Sequence, residues 1–267
     1  MYKPRSSRNS RRPSTTMIIL KSYREIQKMR EAGRVVAQAH QLIKGMIEPG
    51  VSTLALDLAV ADFIHRKGGT SSFLNYHGFP AHTCISVNEE LVHGIPSAER
   101  CLAAGDIVTI DIGVILDGYH GDSAWSYGVG EISAEKQRLF AVTEAALWDG
   151  IAQATRGNRL SDISRAVQKT VEAAGMHVAR EYVGHGIGRS MHEEPQLPNY
   201  WLPSMRRGPR LRSGMTLAIE PMVLLGTHET EVLADDWTVI SADHSPTAHF
   251  EHTVAITPDG PQILTLL

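Results

Sequence analysis

The chain has 267 residues, 42% of them hydrophobic and 21% charged, and its 26 basic and 29 acidic side chains leave a net charge of −3. This near-neutral balance argues against a nucleic-acid-binding protein, and specific DNA binding is not expected. No apolar run approaches the roughly 20 residues that span a bilayer, so no membrane insertion is expected either. Two cysteines, Cys84 and Cys101, cannot make a disulfide framework, which favours a reducing, cytoplasmic location.

The first 16 residues differ in composition from the rest of the chain. They carry five basic side chains, four serines and no acid. Such a segment buries too little apolar surface to offset its ordering entropy, so we expect a disordered basic extension over 1–16. Three roles are open for it: an inert tail, an electrostatic contact with an anionic partner such as ribosomal RNA, or targeting. Residues 17–267 are expected to form one domain.

Capping signals and periodicity predict the helices and strands in chain order. Ser22 and Glu25 form a capping box, and apolar residues then recur at helical spacing as far as Pro49-Gly50. The further predicted elements are helices over 53–67, 133–155 and 161–174, and strands over 107–116, 119–127 and most of the chain after residue 174.

The order helix, helix, strands occurs twice and predicts an α+β fold with an internal repeat. Gly105–Asp111 aligns with Gly214–Glu220, and after an insertion His120–Asp122 aligns with His249–Glu251. Offsets that change only by insertion indicate two related halves, over about 23–130 and 133–257. An acid aligns with an acid in both pairs, so the repeat predicts a site of paired carboxylates between the halves.

Asp117-Gly118 lies between two apolar runs and is a strong signal for a β-hairpin. With a two-residue turn, Asp111 lies opposite Ala124, and Asp122 is its diagonal neighbour on the same face. Diagonal neighbours are roughly 7–8 Å apart, close enough for two carboxylates to hold one ion. The apolar flanks favour this reading over a salt-bridged surface hairpin, because two buried anions need a cation or a shared proton.

The second half of the chain adds matching groups. Glu220 and Glu251 occupy the equivalent acid positions, and the glycine-rich stretch GHGIGRSMHEEP contributes His185 and His192. Four carboxylates with one or two imidazoles suit two divalent ions. Two ions roughly 3.5–4 Å apart can activate a water and polarise a carbonyl, so the pattern predicts hydrolysis. Dinucleotide, H-E-x-x-H and nucleophile-elbow motifs do not occur, and neither cysteine has an obvious histidine partner.

Five strings in order carry a family resemblance: LVHGIP, IDIGVILDGYHGDSAWSY, REYVGHGIGRSMHEEP, GMTLAIEPMV and AHFEHTVAIT. From about Met17 to the C-terminus, the chain closely resembles the type I methionine aminopeptidases. The resemblance implies the pita-bread fold, in which two pseudo-symmetric halves place curved antiparallel sheets inside and helices outside. It also implies that residues 17–267 form a catalytic domain that removes the initiator methionine when the second residue is small, through attack of water on the first peptide bond.

The resemblance also implies a set of metal ligands. Asp111 would hold one metal as a bidentate ligand, and Asp122 and Glu251 would bridge both metals. His185 and Glu220 would hold the second metal. Mixed carboxylate and imidazole sites accept Co, Mn, Fe, Ni or Zn, so the pattern leaves the identity of the two divalent ions open.

Substrate residues follow from the same motifs. His93 and His192 are expected to orient the scissile amide and to stabilise the tetrahedral intermediate, and with Glu220 they form the expected catalytic group. The methionine pocket is expected to contain Tyr76, Phe79, Cys84 and Trp237. Aromatic walls and a sulfur atom suit a flexible thioether.

Two other classes are open beside this reading. Another pita-bread hydrolase, such as an X-Pro dipeptidase, would need a pocket for proline and usually has an extra N-terminal domain. A non-catalytic binding relative of the same fold would have lost metal ligands, whereas all five motif-matched ligands are present. The chain is expected to be a monomer whose partner is the N-terminal methionine of new polypeptides.

Overall fold

The structure, a computed structural model, describes residues 17–267, so the expectations for residues 1–16 lie outside the described part. The α-helices over these residues are α1 (Tyr23–Lys44), α2 (Thr53–Arg66), α3 (Ala134–Gln153) and α4 (Leu160–Ala173). The strands of the first part of the chain are β1 (Thr70–Ser71), β2 (Cys84–Val87), β3 (Glu90–Val92), β4 (Ile107–Leu116) and β5 (Tyr119–Gly128). The later strands are β6 (His177–Val178), β7 (Val183–Gly186), β8 (Glu193–Pro198), β9 (Thr216–Ile219), β10 (Met222–Leu224), β11 (Thr230–Val232), β12 (Val239–Ser241), β13 (Thr247–His249), β14 (His252–Thr257) and β15 (Gly260–Ile263).

Helix α1 begins where the capping box predicts. The Ser22 hydroxyl accepts a hydrogen bond from the Glu25 N–H, and the Glu25 carboxylate accepts one from the Ser22 N–H. The expectation that the helix continues to Pro49-Gly50 is wrong, because α1 ends at Lys44. The next residue is Gly45, a poor helix former. Its N–H donates to Leu42 O at 3.2 Å, a hydrogen bond that spans three residues instead of the four of an α-helix and so ends the helix.

The hairpin forms in the predicted register. In the antiparallel pair β4–β5, Asp111 lies opposite Ala124, and Gly113 lies opposite Asp122. The other edge of β4 pairs with β2 near one end and with β1 near the other. Strand β4 is therefore hydrogen-bonded along both edges, and its side chains are fixed from both sides.

Three further antiparallel sheets contain the remaining strands. Their orders are β15-β14-β9-β7-β8, β13-β10-β6 and β11-β12-β3. The expectation of strands over most of the chain after residue 174 is wrong, because the named strands cover less than half of it; the longest stretch without one is 199–215, between β8 and β9. Pro203 and Pro209 lack the N–H that a sheet ladder needs, and Gly208 has a positive φ of 69°.

The helices cover the outer faces of the sheets. Val36 and Ile43 of α1 pack with Ile110 and Ile112 of β4, and all four side chains are fully buried. Helices α3 and α4 pack in the same way on β9 and β14 in a second apolar cluster. This layering of helices on antiparallel sheets confirms the α+β class. Among residues 17–267, no helix combines the length and the apolar character needed to cross a bilayer.

Glycine permits the closest approach between α1 and the hairpin. A Cβ atom added at Gly121 of β5 would lie 2.6 Å from the backbone nitrogen of Gly33 in α1. No side chain fits at that distance, so α1 and β5 touch backbone to backbone. Gly121 directly precedes Asp122, so this contact sets the distance between α1 and the part of the hairpin that carries Asp122.

Candidate metal centre

Two acids of the β4–β5 hairpin face the interior of the molecule. Asp111 lies opposite Ala124 and Asp122 lies opposite Gly113, so the two acids are diagonal neighbours on the same face of the hairpin, as expected. Asp122 is 2% exposed. On the β2 side of the sheet, Cys84 is the direct partner of Asp111. The hairpin thus joins a pair of acids to a residue of the expected methionine pocket.

The second half of the chain brings three more groups to the same place. One donor atom each from Asp122, His185 and Glu251 lies within 4.8 Å of the others. The His185 Nε2 atom is 4.0 Å from Asp122 Oδ2 and 3.5 Å from Glu220 Oε1. Four carboxylates and one imidazole, all predicted from the sequence, therefore line one buried space.

Sheet pairing explains this convergence. His185 of β7 pairs with Ala218 of β9, which places Glu220 two residues beyond it on the same strand path. The Glu251 N–H donates to Ala124 O of β5 at 2.8 Å, and the Ser123 hydroxyl donates to Glu251 O. These bonds fasten the segment before β14 to the hairpin, so acids from distant parts of the sequence meet.

Burial determines the electrostatics of the centre. It raises the pKa values of the Asp122, Glu220 and Glu251 carboxyls well above the ordinary range, and repulsion among the acids raises them further. Burial also raises the pKa of Asp111. In contrast, it lowers the pKa of His185 to about 4, so that this imidazole is neutral at pH 7 with a lone pair available to a metal.

Three buried carboxylate oxygens that lack hydrogen-bond partners within residues 17–267 indicate that these residues suit a cation. Asp111 Oδ1, Asp122 Oδ1 and Glu251 Oε1 are buried without a hydrogen-bond partner among the described residues. Buried polar atoms are nearly always satisfied, and buried charges are paired or coordinate a metal. The donor set is mostly oxygen with one nitrogen, which suits divalent first-row ions. The residues present therefore fit a metal centre.

The two remaining histidines of the prediction lie at the border of this space. The His192 ring is 4.2 Å from the His185 ring and is stacked on Tyr76, whose hydroxyl is hydrogen-bonded to His192 Nδ1 at 2.7 Å. His93 contacts the Tyr182 ring edge-on, at 5.7 Å between centroids, and its Nδ1 is buried without a partner in the described chain. Both imidazoles therefore lie beside the centre with ring atoms available to a ligand.

An uncommon backbone conformation and a close contact with β2 fix the position of His93. Its φ of 62° lies in the left-handed region, which is uncommon for a residue other than glycine. The next residue, Gly94, touches β2 so closely that a Cβ atom there would lie 2.2 Å from Ile85 O. The backbone around His93 is thus held against the strand that carries Cys84.

The expected pocket residues belong to one apolar cluster next to the acids. Phe79 and Cys84 are buried in it, and the Trp237 ring meets the Phe79 ring edge-on at 5.0 Å. Tyr76 packs against the same cluster, and so does Met191, which is 3% exposed. The structure therefore brings all the sequence-predicted site residues into one region.

One histidine of this region was missed by the sequence interpretation. His249 Nε2 lies 3.7 Å from Glu220 Oε2 and 3.9 Å from Glu251 Oε2. A signal was present in the repeat, where His249 aligns with His120, each two residues before an acid. An ion pair was also missed: the buried side chains of Lys21 and Glu193 are paired, and Glu193 directly follows His192 in the chain.

Comparison with known proteins defines the class. A profile of Metallopeptidase family M24 matches residues 27–258. The match covers most of the chain and includes every predicted metal ligand. The chain belongs to metallopeptidase family M24. Family membership implies the use of divalent metal, in agreement with the buried cluster of Asp122, His185 and Glu251.

Within this family, the chain is similar over nearly its whole length to proteins named methionine aminopeptidase. Methionine aminopeptidase 1 of Bacillus subtilis (strain 168) is 53% identical over 249 residues, which are 93% of this chain and 99% of that protein. Methionine aminopeptidase 1 of Mycobacterium tuberculosis is 49% identical over 248 residues, covering 91% of this chain and 92% of its own length. These identities confirm the resemblance to the methionine aminopeptidases.

Solved structures confirm the pita-bread fold. A methionine aminopeptidase from Thermotoga maritima has a TM-score of 0.91 and 43% identity, covering 94% of this chain and all of that one. An Xaa-Pro dipeptidase from Bacillus anthracis matches with a TM-score of 0.75, but at 24% identity and over only 61% of its own length. That second likeness shows the shared fold alone.

Proposed function

We propose that this chain is a methionine aminopeptidase that removes the N-terminal methionine of new polypeptides whose second residue is small. The observation that carries the proposal is the position of a buried set of acids and one neutral imidazole beside an apolar pocket. The relatives that cover nearly the whole chain are named for this activity. The X-Pro dipeptidase alternative has only the fold in its support.

In this proposal, two divalent ions occupy the centre. Asp111 would hold one ion, His185 and Glu220 would hold the other, and Asp122 and Glu251 would serve as ligands to both. The orphaned oxygens of Asp111, Asp122 and Glu251 support these roles. When bound, the ions supply Lewis-acid activation of a water molecule and of the scissile carbonyl. Their identity among Co, Mn, Fe, Ni and Zn depends on availability as well as on the ligands.

The remaining residues bind and orient the substrate. His93 directly follows β3 and His192 directly precedes β8, and both border the centre, so both can hydrogen-bond to the first peptide group of a bound chain. An imidazole held in position by a neighbouring hydroxyl, as His192 is by Tyr76, suits the stabilisation of developing charge or the movement of a proton. Glu220, whose pKa is raised by burial, is proposed to take part in catalysis beside its metal role.

The methionine side chain is proposed to enter the cluster formed by Phe79, Cys84, Trp237 and Tyr76. A thioether is flexible and polarisable, and it packs favourably against aromatic rings and sulfur. Met191 adds a second flexible side chain to the same wall. Because Cys84 pairs with Asp111, a methionine seated there has its peptide group close to the acids.

The test is a peptide series with metal-free protein and each metal added back. Methionine should be released rapidly from Met-Ala-Ser and Met-Gly-Ser, slowly from Met-Lys-Ser, and not at all after chelation. Leu-Ala-Ser and a dipeptide with proline second serve as controls. Efficient cleavage of the proline dipeptide, or methionine release that does not depend on metal, would contradict the proposal. Gel filtration tests the expected monomer, and ribosome co-sedimentation at low and high salt tests the proposed contact of residues 1–16.

A further inference from the structure

His249 is a buried histidine between two of the proposed ligands. It is 2% exposed, and its Nε2 has no hydrogen-bond partner among residues 17–267. Two carboxylate oxygens lie near Nε2: Glu220 Oε2 at 3.7 Å and Glu251 Oε2 at 3.9 Å. Both separations exceed the upper limit of about 3.2 Å for N–H···O hydrogen bonds, by about 0.5 and 0.7 Å. The imidazole is therefore aimed at both carboxylates without bonding to either.

The backbone of His249 is firmly held. Its N–H donates to the Ser126 hydroxyl at 3.1 Å, and that hydroxyl also lies 3.1 Å from His249 O. Ser126 in turn shares a hydrogen bond with Thr109 of β4 at 2.7 Å. On its other side, His249 pairs with Met222 of β10. The histidine is thus fixed between two sheets, and its direction toward the acids is built into the fold.

His120 offers a comparison within the same chain. By the repeat alignment it occupies the same position, two residues before Asp122, and it is also buried. Its Nδ1 is hydrogen-bonded to the Ser72 hydroxyl at 2.9 Å. The unsatisfied nitrogen of His249 is therefore not a general consequence of this position in the fold. It is a feature of the side that carries Glu220 and Glu251.

The chemistry of the facing atoms defines what Nε2 can do. A carboxylate that binds a metal is ionised and only accepts hydrogen bonds, so in the metal-bound state an Nε2 lone pair directed at two such oxygens would be repelled. An Nε2–H directed at them is attracted to both. Carboxylates that bind metals are commonly held by hydrogen bonds from a second layer of residues, and losing such a partner typically costs 10–100-fold in metal affinity.

We propose that His249 is a positioning residue of the metal centre: when the centre holds metal, its Nε2–H would donate to the Glu220 and Glu251 carboxylates, which lie 3.7 and 3.9 Å away here, and would hold them in the orientation that binds metal. The inference rests on the proposed function, because it requires that these acids are ligands. It assigns to His249 a role in metal affinity and none in contact with the substrate.

The test compares His249→Leu, His249→Gln and the matched control His120→Gln with the wild type. Each metal-free protein is titrated with Mn²⁺ or Co²⁺ against a chelator indicator, bound metal is counted, and the Co²⁺ absorption spectrum is recorded. His249→Leu should bind metal about 10–100-fold more weakly. His249→Gln should recover most of the affinity because its amide donates a hydrogen bond, and both variants should keep the wild-type Co²⁺ band positions. The metal affinity of His120→Gln should stay within about threefold of the wild type, since His120 is hydrogen-bonded to Ser72 and not paired with the acids.

Several results would overturn the inference. Unchanged affinity in His249→Leu would show that the imidazole does not act on the acids. Failure of His249→Gln together with shifted Co²⁺ bands would mean that Nε2 is itself a ligand. Thermal unfolding of the metal-free proteins detects a variant that has lost its fold, in which case the Gln variant decides. A wild-type chain that binds no metal would refute the proposed function as well, whereas wild-type binding with unaffected variants refutes only this inference.

Discussion

The buried ion pair between Lys21 and Glu193 connects the start of the domain to the loop that carries His192. Their side chains are only 3% and 7% exposed. Glu193 also accepts hydrogen bonds from the Arg189 and Ser190 N–H groups, at 2.9 and 3.2 Å. One carboxylate therefore organises the loop immediately before it, and Lys21 supplies the charge that makes its burial tolerable.

Replacement of Lys21 by methionine keeps the apolar stem and removes only this charge. Breaking a buried ion pair at one partner costs about 3–5 kcal/mol, and the two backbone donors that remain on Glu193 favour the lower end, about 3 kcal/mol. At roughly 2–4 °C per kcal/mol for a chain of this size, the Tm should fall by about 6–12 °C. The control is Arg66→Met, because the Arg66–Asp62 pair is 63% and 61% exposed. That change should cost about 0.5 kcal/mol or less.

The assay combines thermal unfolding with kinetics on a methionyl tripeptide. Because His192 directly precedes Glu193, Lys21→Met should lower kcat by up to about 10²-fold, with KM and bound metal nearly unchanged. The double variant Lys21→Met with Glu193→Gln removes the uncompensated charge and should regain part of the lost Tm. The reasoning is refuted if Lys21→Met shifts the Tm no more than Arg66→Met does, or if the double variant is less stable than the single one.

Four other expectations follow from the site and the chain. Asp122→Ala should lose both metals by elemental analysis, whereas His192→Ala should keep both and lose about 10²–10⁴-fold in rate; the reverse pattern would refute the assigned roles. The Tm of the metal-free protein should fall as the pH rises from about 6.5 to 8.5. The pKa values of its buried carboxyls are raised, so the folded state binds more protons than the unfolded state and loses stability as protons become scarce. Added metal should reverse this slope, and a metal-free Tm that rises over the same interval would contradict it. Cys84→Ala should raise KM about fourfold, the equivalent of one buried methylene, while Cys101→Ala, at an exposed position, should leave KM unchanged. Deletion of residues 1–16 should leave peptide turnover within about twofold, and a larger loss would show that the extension contributes to the site.

Features governed by neighbouring residues were predictable from the sequence. The capping box at Ser22 and the turn at Asp117-Gly118 set the start of α1 and the register of β4 with β5. Both depend on interactions over a few residues, where residue type alone decides the geometry. The end of α1 was placed too late because apolar spacing continues past Gly45, although the helix itself does not. The boundaries of the internal repeat and the state of residues 1–16 stay predictions.

The acids of the candidate metal centre were found from the sequence for a different reason. Acids embedded in apolar strands need a counter-charge wherever the strands lie, and the motifs around them resemble a known family. His249 gave no such sign, since a histidine two residues from an acid is ordinary in sequence. Its role depends on its position near Glu220, which follows β9, and on the absence of a hydrogen-bond partner for its Nε2 in the described chain.

The sequence by itself determined the helices near their caps, the hairpin register and the identity of the acids, because these follow from local backbone chemistry and from the cost of burying charge. The tertiary structure alone decided which groups face one another. Lys21 and Glu193 lie 172 residues apart, and Ser123 and Glu251 lie 128 apart. Contacts over such separations are set by sheet pairing and by the packing of helices on those sheets, so only the folded chain shows that one loop is held by a lysine and that one imidazole is aimed at two carboxylates.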